Sequence, residues 1–355
     1  MKNTLILHAC GGCGINLADD VFNKVADLGS GYANVKFHYV DTSRANIDKI
    51  EPRGEFFQIR TKSNSLAEIQ GTGADRRRFI NDIIPGVKEY LDVNKYLELK
   101  RDEFHLVAFS TSGGSGSSIG PLIVRDLITR DIPVIAVVVG DSSNGINCIN
   151  TVRTIDTLDA IAKQNKKCLS VIYINNHATL ESKKDNLATM NNAEKEVNTI
   201  LTNVMSLASI FLSGENEALD NQDMANIVDQ SKYTNLSIEP GLYGLVFYSK
   251  NIVTSVEKAI PTVARTLTLK GENFDTNLTL LHHKRGYVED DNVVELVKAE
   301  NFPIHMVSYA NFLLEEKKKL REIEQNYNNI MESLKQAQKE DDTTYDVDSD
   351  SGLVL

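Results

Sequence analysis

Residues 106–120 read Leu-Val-Ala-Phe-Ser-Thr-Ser-Gly-Gly-Ser-Gly-Ser-Ser-Ile-Gly. Leu106 to Phe109 is a continuous apolar run, as expected of a strand buried on both faces. Ile119 to Ile128 is amphipathic at helical spacing. The segment therefore reads as buried strand, glycine-rich turn and helix start. In an α/β protein that junction falls at the carboxyl edge of a parallel sheet, where ligands collect. Gly113, Gly114 and Gly116 lack the Cβ that would keep a ligand off the backbone. Ser115, Ser117 and Ser118 add hydroxyls. The unpaired N–H groups of a first helical turn favour an anion. A plain tight turn needs neither so many glycines nor so many hydroxyls.

The same unit recurs on both sides. Leu5 to Ala9 is a strand pattern, Gly11-Gly12-Cys13-Gly14 a turn, and Ile15, Ala18, Val21, Val25 and Leu28 a helical face. Gly12-x-Gly14 fits half of the dinucleotide fingerprint, but Leu17 occupies the third glycine position. The chain contains no Gly-Lys-Ser/Thr, which excludes a P-loop. Val35 to Val40 is a strand ending in Asp41-Thr42-Ser43. An acid there suits a ribose or a metal-bound phosphate, and equally a helix N-cap. Gly71-Thr72-Gly73-Ala74-Asp75 is a third glycine turn, before Arg76-Arg77-Arg78 and a helix. The arginines read as a solvated helix face, from which one could reach a phosphate.

Ile132 to Val139 is a central parallel strand by its apolar run, followed by the polar loop Gly140 to Gly145 and a helix through Val152, Ile155, Leu158 and Ile161. Leu169 to Ile174 is a further strand, ending at Asn175-Asn176. Five or more strands thus alternate with helices. The expected fold is α/β: a doubly wound parallel sheet with a nucleotide-sized site at its carboxyl edge, over residues 1–192.

Beyond it, residues 193–212 read as a buried connecting helix, and 213–235 as an acidic loop with a short helix. Residues 236–310 read as a smaller α/β domain, with strands at Gly241–Tyr248, Leu278–His282 and Ile304–Val307 and a helix over Val253–Leu269. Residues 311–340 are strongly helical and charged. Leu320, Ile323, Tyr327, Ile330 and Leu334 form one apolar seam. The seam should pack on the body or on a neighbouring subunit. Residues 341–355 read as a disordered acidic tail.

The 355 residues carry a net charge of −11, which disfavours nonspecific nucleic-acid binding through a global basic field. No apolar stretch approaches the roughly 20 residues that span a bilayer, and no secretory signal is apparent. The expected location is cytoplasmic. Cys10 and Cys13 make a C-x-x-C, but no second pair or nearby histidine completes a zinc set, and the surrounding glycines suit a ligand loop better. The seven histidines are scattered and suggest no metal-ligating cluster.

The ordered set of loops resembles the tubulin/FtsZ superfamily, whose hallmark is small-Gly-Gly-Thr-Gly-small-Gly between a strand and a helix. Here it is Ser112-Gly113-Gly114-Ser115-Gly116-Ser117-Ser118. Ser115 keeps the threonine hydroxyl, and Ser118 stands in place of the last glycine. The resemblance implies roles for the other loops. Gly11, Gly12, Cys13, Gly14 and Asn16 would form the first phosphate loop, and Asp41 the second-loop acid. Gly71, Thr72, Gly73 and Ala74 would sense the γ-phosphate. Asn144 and its neighbours would form the ribose loop. Asn176 and Asn198 would read guanine, although Asn175 or Asn191 could replace either. Leu219-Asp220-Asn221-Gln222-Asp223 resembles the D-x-x-D synergy loop. Asp220 and Asp223 would then polarise a water towards the γ-phosphate bound by the next subunit.

The implied protein is a GTPase that binds GTP or GDP with Mg²⁺ and polymerises into filaments, with hydrolysis at the subunit interface. No side chain is assigned as a direct metal ligand. The long terminal helix and acidic tail resemble the plasmid and bacteriophage tubulins, the TubZ-like and PhuZ-like branches. The Asn-, Lys- and Ile-rich composition favours the first. That branch implies partition of plasmid or plasmid-like phage DNA through a DNA-binding centromere adaptor, with no direct nucleic-acid or membrane binding. The PhuZ-like role would instead be to position phage DNA in the host. A Rossmann-type NAD(P) oxidoreductase is the rival from another class. Asp41 could serve it, but Leu17 and the second glycine cluster count against it.

Overall fold

The structure, a computed structural model, describes residues 3–26, 34–61, 79–98, 100, 102–176, 205, 220–232, 239–249, 261–270, 301–310 and 314–344. In chain order its elements are β1 (Thr4–Cys10), α1 (Gly11–Ala26), β2 (Asn34–Asp41), β3 (Glu55–Gln58), α2 (Ile80–Val93), β4 (Glu103–Ser110), α3 (Ser115–Thr129), β5 (Val134–Gly140), α4 (Gly145–Gln164), β6 (Cys168–Asn175), α5 (Asn221–Val228), β7 (Gly241–Ser249), β8 (Pro261–Lys270), β9 (Asn301–Ala310) and α6 (Leu314–Thr344).

All nine described strands join one sheet in the order β3-β2-β1-β4-β5-β6-β7-β9-β8. The run from β3 to β7 is parallel. The chain winds outward from β1 to β3, then restarts at β4 on the other side of β1. The switch point therefore lies between β1 and β4, and the loops that leave those two strands flank it. That is where an open α/β sheet binds its ligand.

Alternation along β1 sorts the core into two layers. Leu5, Leu7 and Ala9 face α1, together with Met224 of α5. Ile6 and Cys10 face the layer that contains residues of α2, α3, α4 and α6. The central strands β4 and β5 are buried along almost their whole length, which explains why they read as apolar runs. Met205 is helical, 1% exposed and packed in the α1 layer. It is the described residue of the expected 193–212 helix; the rest of that run lies outside the described residues.

The residues expected to form a smaller domain over 236–310 contribute, where described, three strands that continue the same sheet. β7 pairs in parallel with β6, and β9 and β8 then add antiparallel. One expectation is corrected here: residues 261–269, read as helix, form β8. Thr262, Val263, Thr266 and Thr268 are β-branched and suit a pleated strand better than a helix. The Leu278–His282 strand and residues 253–260 lie outside the described residues. So does the tail from 345 onward, while residues 341–344, read as tail, complete α6. Among the described residues no helix is long and apolar enough to cross a membrane.

The sheet register brings together three of the histidines that are scattered in sequence. His8 sits beside His38 of β2 in the register. Its Nδ1 lies 2.6 Å from the Tyr90 hydroxyl and its Nε2 lies 2.8 Å from His105 Nδ1. Tyr96 packs edge-on to His8 and His38. These contacts make the cluster a buried polar network. Burial holds His8 well below the usual imidazole value and lowers His105 to about 3. Both are neutral in the folded chain at pH 7.

Below about 6.5 the unfolded chain takes up protons that the folded chain refuses. Stability is therefore full above that pH and is lost as pH falls towards 3. The expected loss is about 1.4 kcal/mol per pH unit for each buried histidine. Urea unfolding at pH 7, 6 and 5 checks this, and His105→Gln is expected to remove one histidine's share of the slope. A pH-independent midpoint would contradict it.

Candidate nucleotide site

Two glycine loops meet at the switch point. Gly11 has φ +68°, the left-handed region that favours glycine, and a Cβ there would lie 2.8 Å from the Gly116 backbone nitrogen. Reciprocally, a Cβ on Gly116 would lie 2.9 Å from the Cys10 carbonyl oxygen. The start of α1 and the start of α3 thus touch backbone to backbone, which no side chain would permit. Between them opens a cleft of about 220 Å³, lined by Cys10, Gly11, Gly12, Cys13, Asp41, Ser43, Asn46, Ser110, Gly113, Gly114, Ser115 and Gly116. Among the described residues no lysine or arginine lines it. A bound anion would rest on backbone N–H groups and two helix N-termini. Gly114, the N-cap of α3, supplies no side-chain cap, so the first-turn N–H groups are not consumed by one. A Cβ on Gly113 would have no atom within 4 Å; that position is open.

Asp41 closes the floor. It is 3% exposed, and its carboxylate accepts the Thr42 N–H at 2.6 Å. Burial raises its ionisation value, and hydrogen bonds from Thr42, Ser115 and Ser43 partly oppose the rise. A carboxylate so perturbed costs stability once it is ionised; the cost is absent well below its folded value and complete above it. Asp41→Asn is therefore expected to raise the Tm of the ligand-free protein at pH 7 and to weaken retention of a metal-bound phosphate ligand in the cleft. Thermal melts with and without ligand check both halves. A lowered Tm without ligand would refute the burial argument.

The serines divide by role. Ser115 Oγ lies 2.7 Å from Thr42 Oγ1, tying α3 to the end of β2 beside the cleft. Ser117 is fully buried, and its hydroxyl donates to the Gly113 and Gly114 carbonyls. It stabilises the turn and does not face the cleft. Ser112 lies outside the lining and pairs with Ser110, hydroxyl to hydroxyl at 2.9 Å. Gly14 packs against the Ala108 carbonyl of β4 rather than facing the cleft. Asn16 is exposed on α1.

The Gly140–Gly145 loop leaves the neighbouring strand β5. Asn144 is the N-cap of α4 and accepts the Asn147 N–H at 2.9 Å. At the end of β6, Asn176 Oδ1 is buried with no hydrogen-bond partner among the described residues. A buried, unsatisfied amide oxygen is costly, and an incoming N–H donor would relieve it. Residues 71–74 and Asn198 lie outside the described residues.

Asp220 and Asp223 sit elsewhere. Asp220 is the N-cap of α5 and accepts the Asp223 N–H at 2.8 Å. The next residue, Asn221, accepts a hydrogen bond from Asn3 Nδ2 at 2.8 Å, and Asn3 immediately precedes β1. Farther along α5, the Val228 carbonyl accepts from Ser170 near the start of β6. The acids therefore lie at the amino edge of the sheet. The cleft lies at the carboxyl edge, roughly 20 Å away along β1 at about 3.3 Å per residue.

Residues 4–184 match the Tubulin/FtsZ family, GTPase domain. The chain belongs to that family. It is 26% identical over 229 residues to a phage tubulin-like protein of Pseudomonas phage 201phi2-1, a match covering 64% of this chain and 62% of that protein. It is 21% identical over 360 residues to a phage tubulin-like protein of Pseudomonas phage phiKZ, covering 98% and 97% of the two chains. Its fold is similar to that of a protofilament of TubZ from bacteriophage PhiKZ, with a TM-score of 0.66 at 18% identity over 99% of this chain and 95% of that one. The chain is a tubulin-like GTPase and takes a guanine nucleotide. The NAD(P) oxidoreductase reading falls away.

This tubulin-like cleft also uses residues that sequence reasoning did not single out. Asn46 lies over Gly12, where a Cβ would strike its amide. Thr151 and Thr154 of α4 bond to Thr111, and Asn150 Nδ2 donates to the Ser112 carbonyl at 3.1 Å. These three buried polar residues of α4 hold the glycine loop from behind. Their only signal in the sequence is a cluster of small polar residues on the inner face of an otherwise apolar helix pattern.

Proposed function

We propose that this chain is a filament subunit whose GTPase site is completed by its neighbour. The cleft and the Asp220–Asp223 pair occupy opposite edges of one sheet, and this separation carries the reading. One chain cannot bring them together, whereas head-to-tail stacking places the acids of one subunit over the cleft of the next. Such an interface joins two different surfaces and propagates as an open filament.

GTP would lie with its phosphates on the Gly11–Cys13 and Gly113–Gly116 backbone. Asp41 would face a phosphate-bound Mg²⁺, which when present neutralises developing charge on the phosphates. Asp223, half-exposed on the first turn of α5, and Asp220, exposed at its N-cap, would together orient and polarise the attacking water, Asp220 also fixing that turn. Positioning and preorganised dipoles would do most of the work.

Phosphate release and 90° light scattering, measured together over a range of protein concentrations with Mg²⁺, test this reading. Scattering with GTP alone above a threshold, and hydrolysis that starts at the same threshold, is the expected result. Hydrolysis proportional to protein without assembly would mean that one chain holds a complete site.

The two phage relatives favour a filament that positions phage DNA in the host cytoplasm, the PhuZ-like role, over plasmid partition through a centromere adaptor. Imaging labelled phage DNA in infected cells separates the two. DNA displaced when Asp223→Ala filaments replace wild type supports positioning. Unequal inheritance of a plasmid-like replicon would support partition.

A further inference from the structure

Helix α6 returns from the far end of the chain and packs antiparallel on α4. Leu320 is 1% exposed within the core. Its carbonyl accepts the Cys148 thiol at 3.1 Å, and Arg321 reaches Asp156 at 3.3 Å. Two turns later the Tyr327 ring lies on Gly145, the first residue of α4; a Cβ at Gly145 would overlap the ring. Beyond Tyr327 the same seam emerges, with Ile330 59% and Leu334 55% exposed. Tyr327 is thus the last of the seam's residues held against the body of this chain.

What Tyr327 covers is tied to the cleft. Gly145 follows Asn144, whose side chain accepts the Asn147 N–H. Asn147 Nδ2 in turn donates to Asp141 at 2.7 Å. The Asp141 N–H donates to Thr151 Oγ1, and Thr151 pairs with Thr111 at the root of the Ser112–Gly116 loop. A side chain from α6 therefore abuts the short bonded segment that joins the Asn144 loop to the phosphate loop.

We infer that Tyr327 is a positioning residue of the nucleotide site: seated on Gly145, it holds the 140–147 loop, so that docking of α6 and retention of guanine nucleotide are coupled. The inference rests on reading the loop around Asn144 as part of that site. Coupling of this kind is reciprocal, so bound nucleotide must stabilise the docked helix by the factor with which the helix stabilises bound nucleotide.

The test uses the full chain with GDP and Mg²⁺. Tyr327→Ala is expected to speed GDP release by about fivefold to tenfold, within the usual range of coupling energies. Gly145→Ala is expected to do the same from the other side of the contact, although alanine is the better helix former. Tyr327→Phe keeps the ring and is expected to restore wild-type release. Hydrogen exchange over residues 320–330 is expected to slow when GDP binds to the wild type, and to respond less in Tyr327→Ala.

Asn144→Ala serves as the reference. If it speeds release while Tyr327→Ala does not, the inference fails and the loop reading stands. If Asn144→Ala leaves release unchanged, the loop is no part of the site and both fail. Exchange in α6 that ignores GDP, or a Phe variant that behaves like Ala, would also overturn the inference.

Discussion

Asp223→Ala and Asp220→Asn are each expected to cut GTP turnover by about 10²- to 10⁴-fold, the usual worth of a positioned acid or base, while nucleotide binding and filament formation persist. The choice of substitution matters at Asp220, because its carboxylate also caps α5. Alanine there would remove the cap at a cost of about 1 kcal/mol and confuse a lost helix turn with a lost catalyst. Asparagine caps about as well as aspartate and removes only the charge. Asp223 presents its N–H, not its side chain, to the cap, so alanine is clean at that position. Filaments should live longer, since GTP persists at the contacts. Single-turnover phosphate release on preassembled filaments gives the rate. An unchanged rate in both variants would remove the acids from the mechanism.

Gly113→Val is expected to abolish GTP binding without unfolding the protein. A Cβ at position 113 meets nothing within 4 Å, so the fold should accept the side chain. On the proposed reading, the same open space is where phosphates approach the backbone N–H groups. Two lost charge-assisted bonds at about 1.5–3 kcal/mol each weaken binding by about 100-fold or more. Gly11→Ala is the contrasting case. There the left-handed backbone and the Gly116 nitrogen 2.8 Å away make any side chain a structural fault, at about 1–2 kcal/mol for the conformation alone. The melting temperature should fall for Gly11→Ala and hold for Gly113→Val. Equal GTP affinity in Gly113→Val and wild type would place the phosphates elsewhere.

The two lesions are complementary. Gly113→Val spoils the cleft and keeps the acids; Asp223→Ala does the reverse. Each alone is expected to be inactive. Mixed, they should recover part of the turnover, because a Gly113→Val subunit can present its acids to the cleft of an Asp223→Ala subunit. No recovery in co-assembled filaments would mean that the acids act within their own chain.

Much of this was legible before folding. The strand–glycine–helix units at Leu5–Gly14 and Leu106–Gly120 announced themselves because central parallel strands are buried on both faces and so read as apolar runs. The glycines between them could be singled out because close backbone approach admits no other residue. Other elements were hidden. β3 is four residues long and half-exposed at the sheet edge, too short to leave a pattern. β8 reads as a helix when apolar spacing is weighed above its threonines. Ser117 looks like a ligand hydroxyl, yet its side chain closes the turn on the Gly113 carbonyl. His8, His38 and His105 are far apart in the chain and become neighbours only through strand register.

The sequence by itself therefore determined the parallel α/β class, the two glycine-rich turns and the acidic D-x-x-D, because periodicity, glycine placement and turn chemistry are local properties. Only the tertiary structure decided that Gly11 and Gly116 face each other, that α4 braces the glycine loop, that Tyr327 seats on Gly145, and that the acids lie at the opposite edge from the cleft. These depend on strand order and register, which are set by the packing of segments distant in the chain.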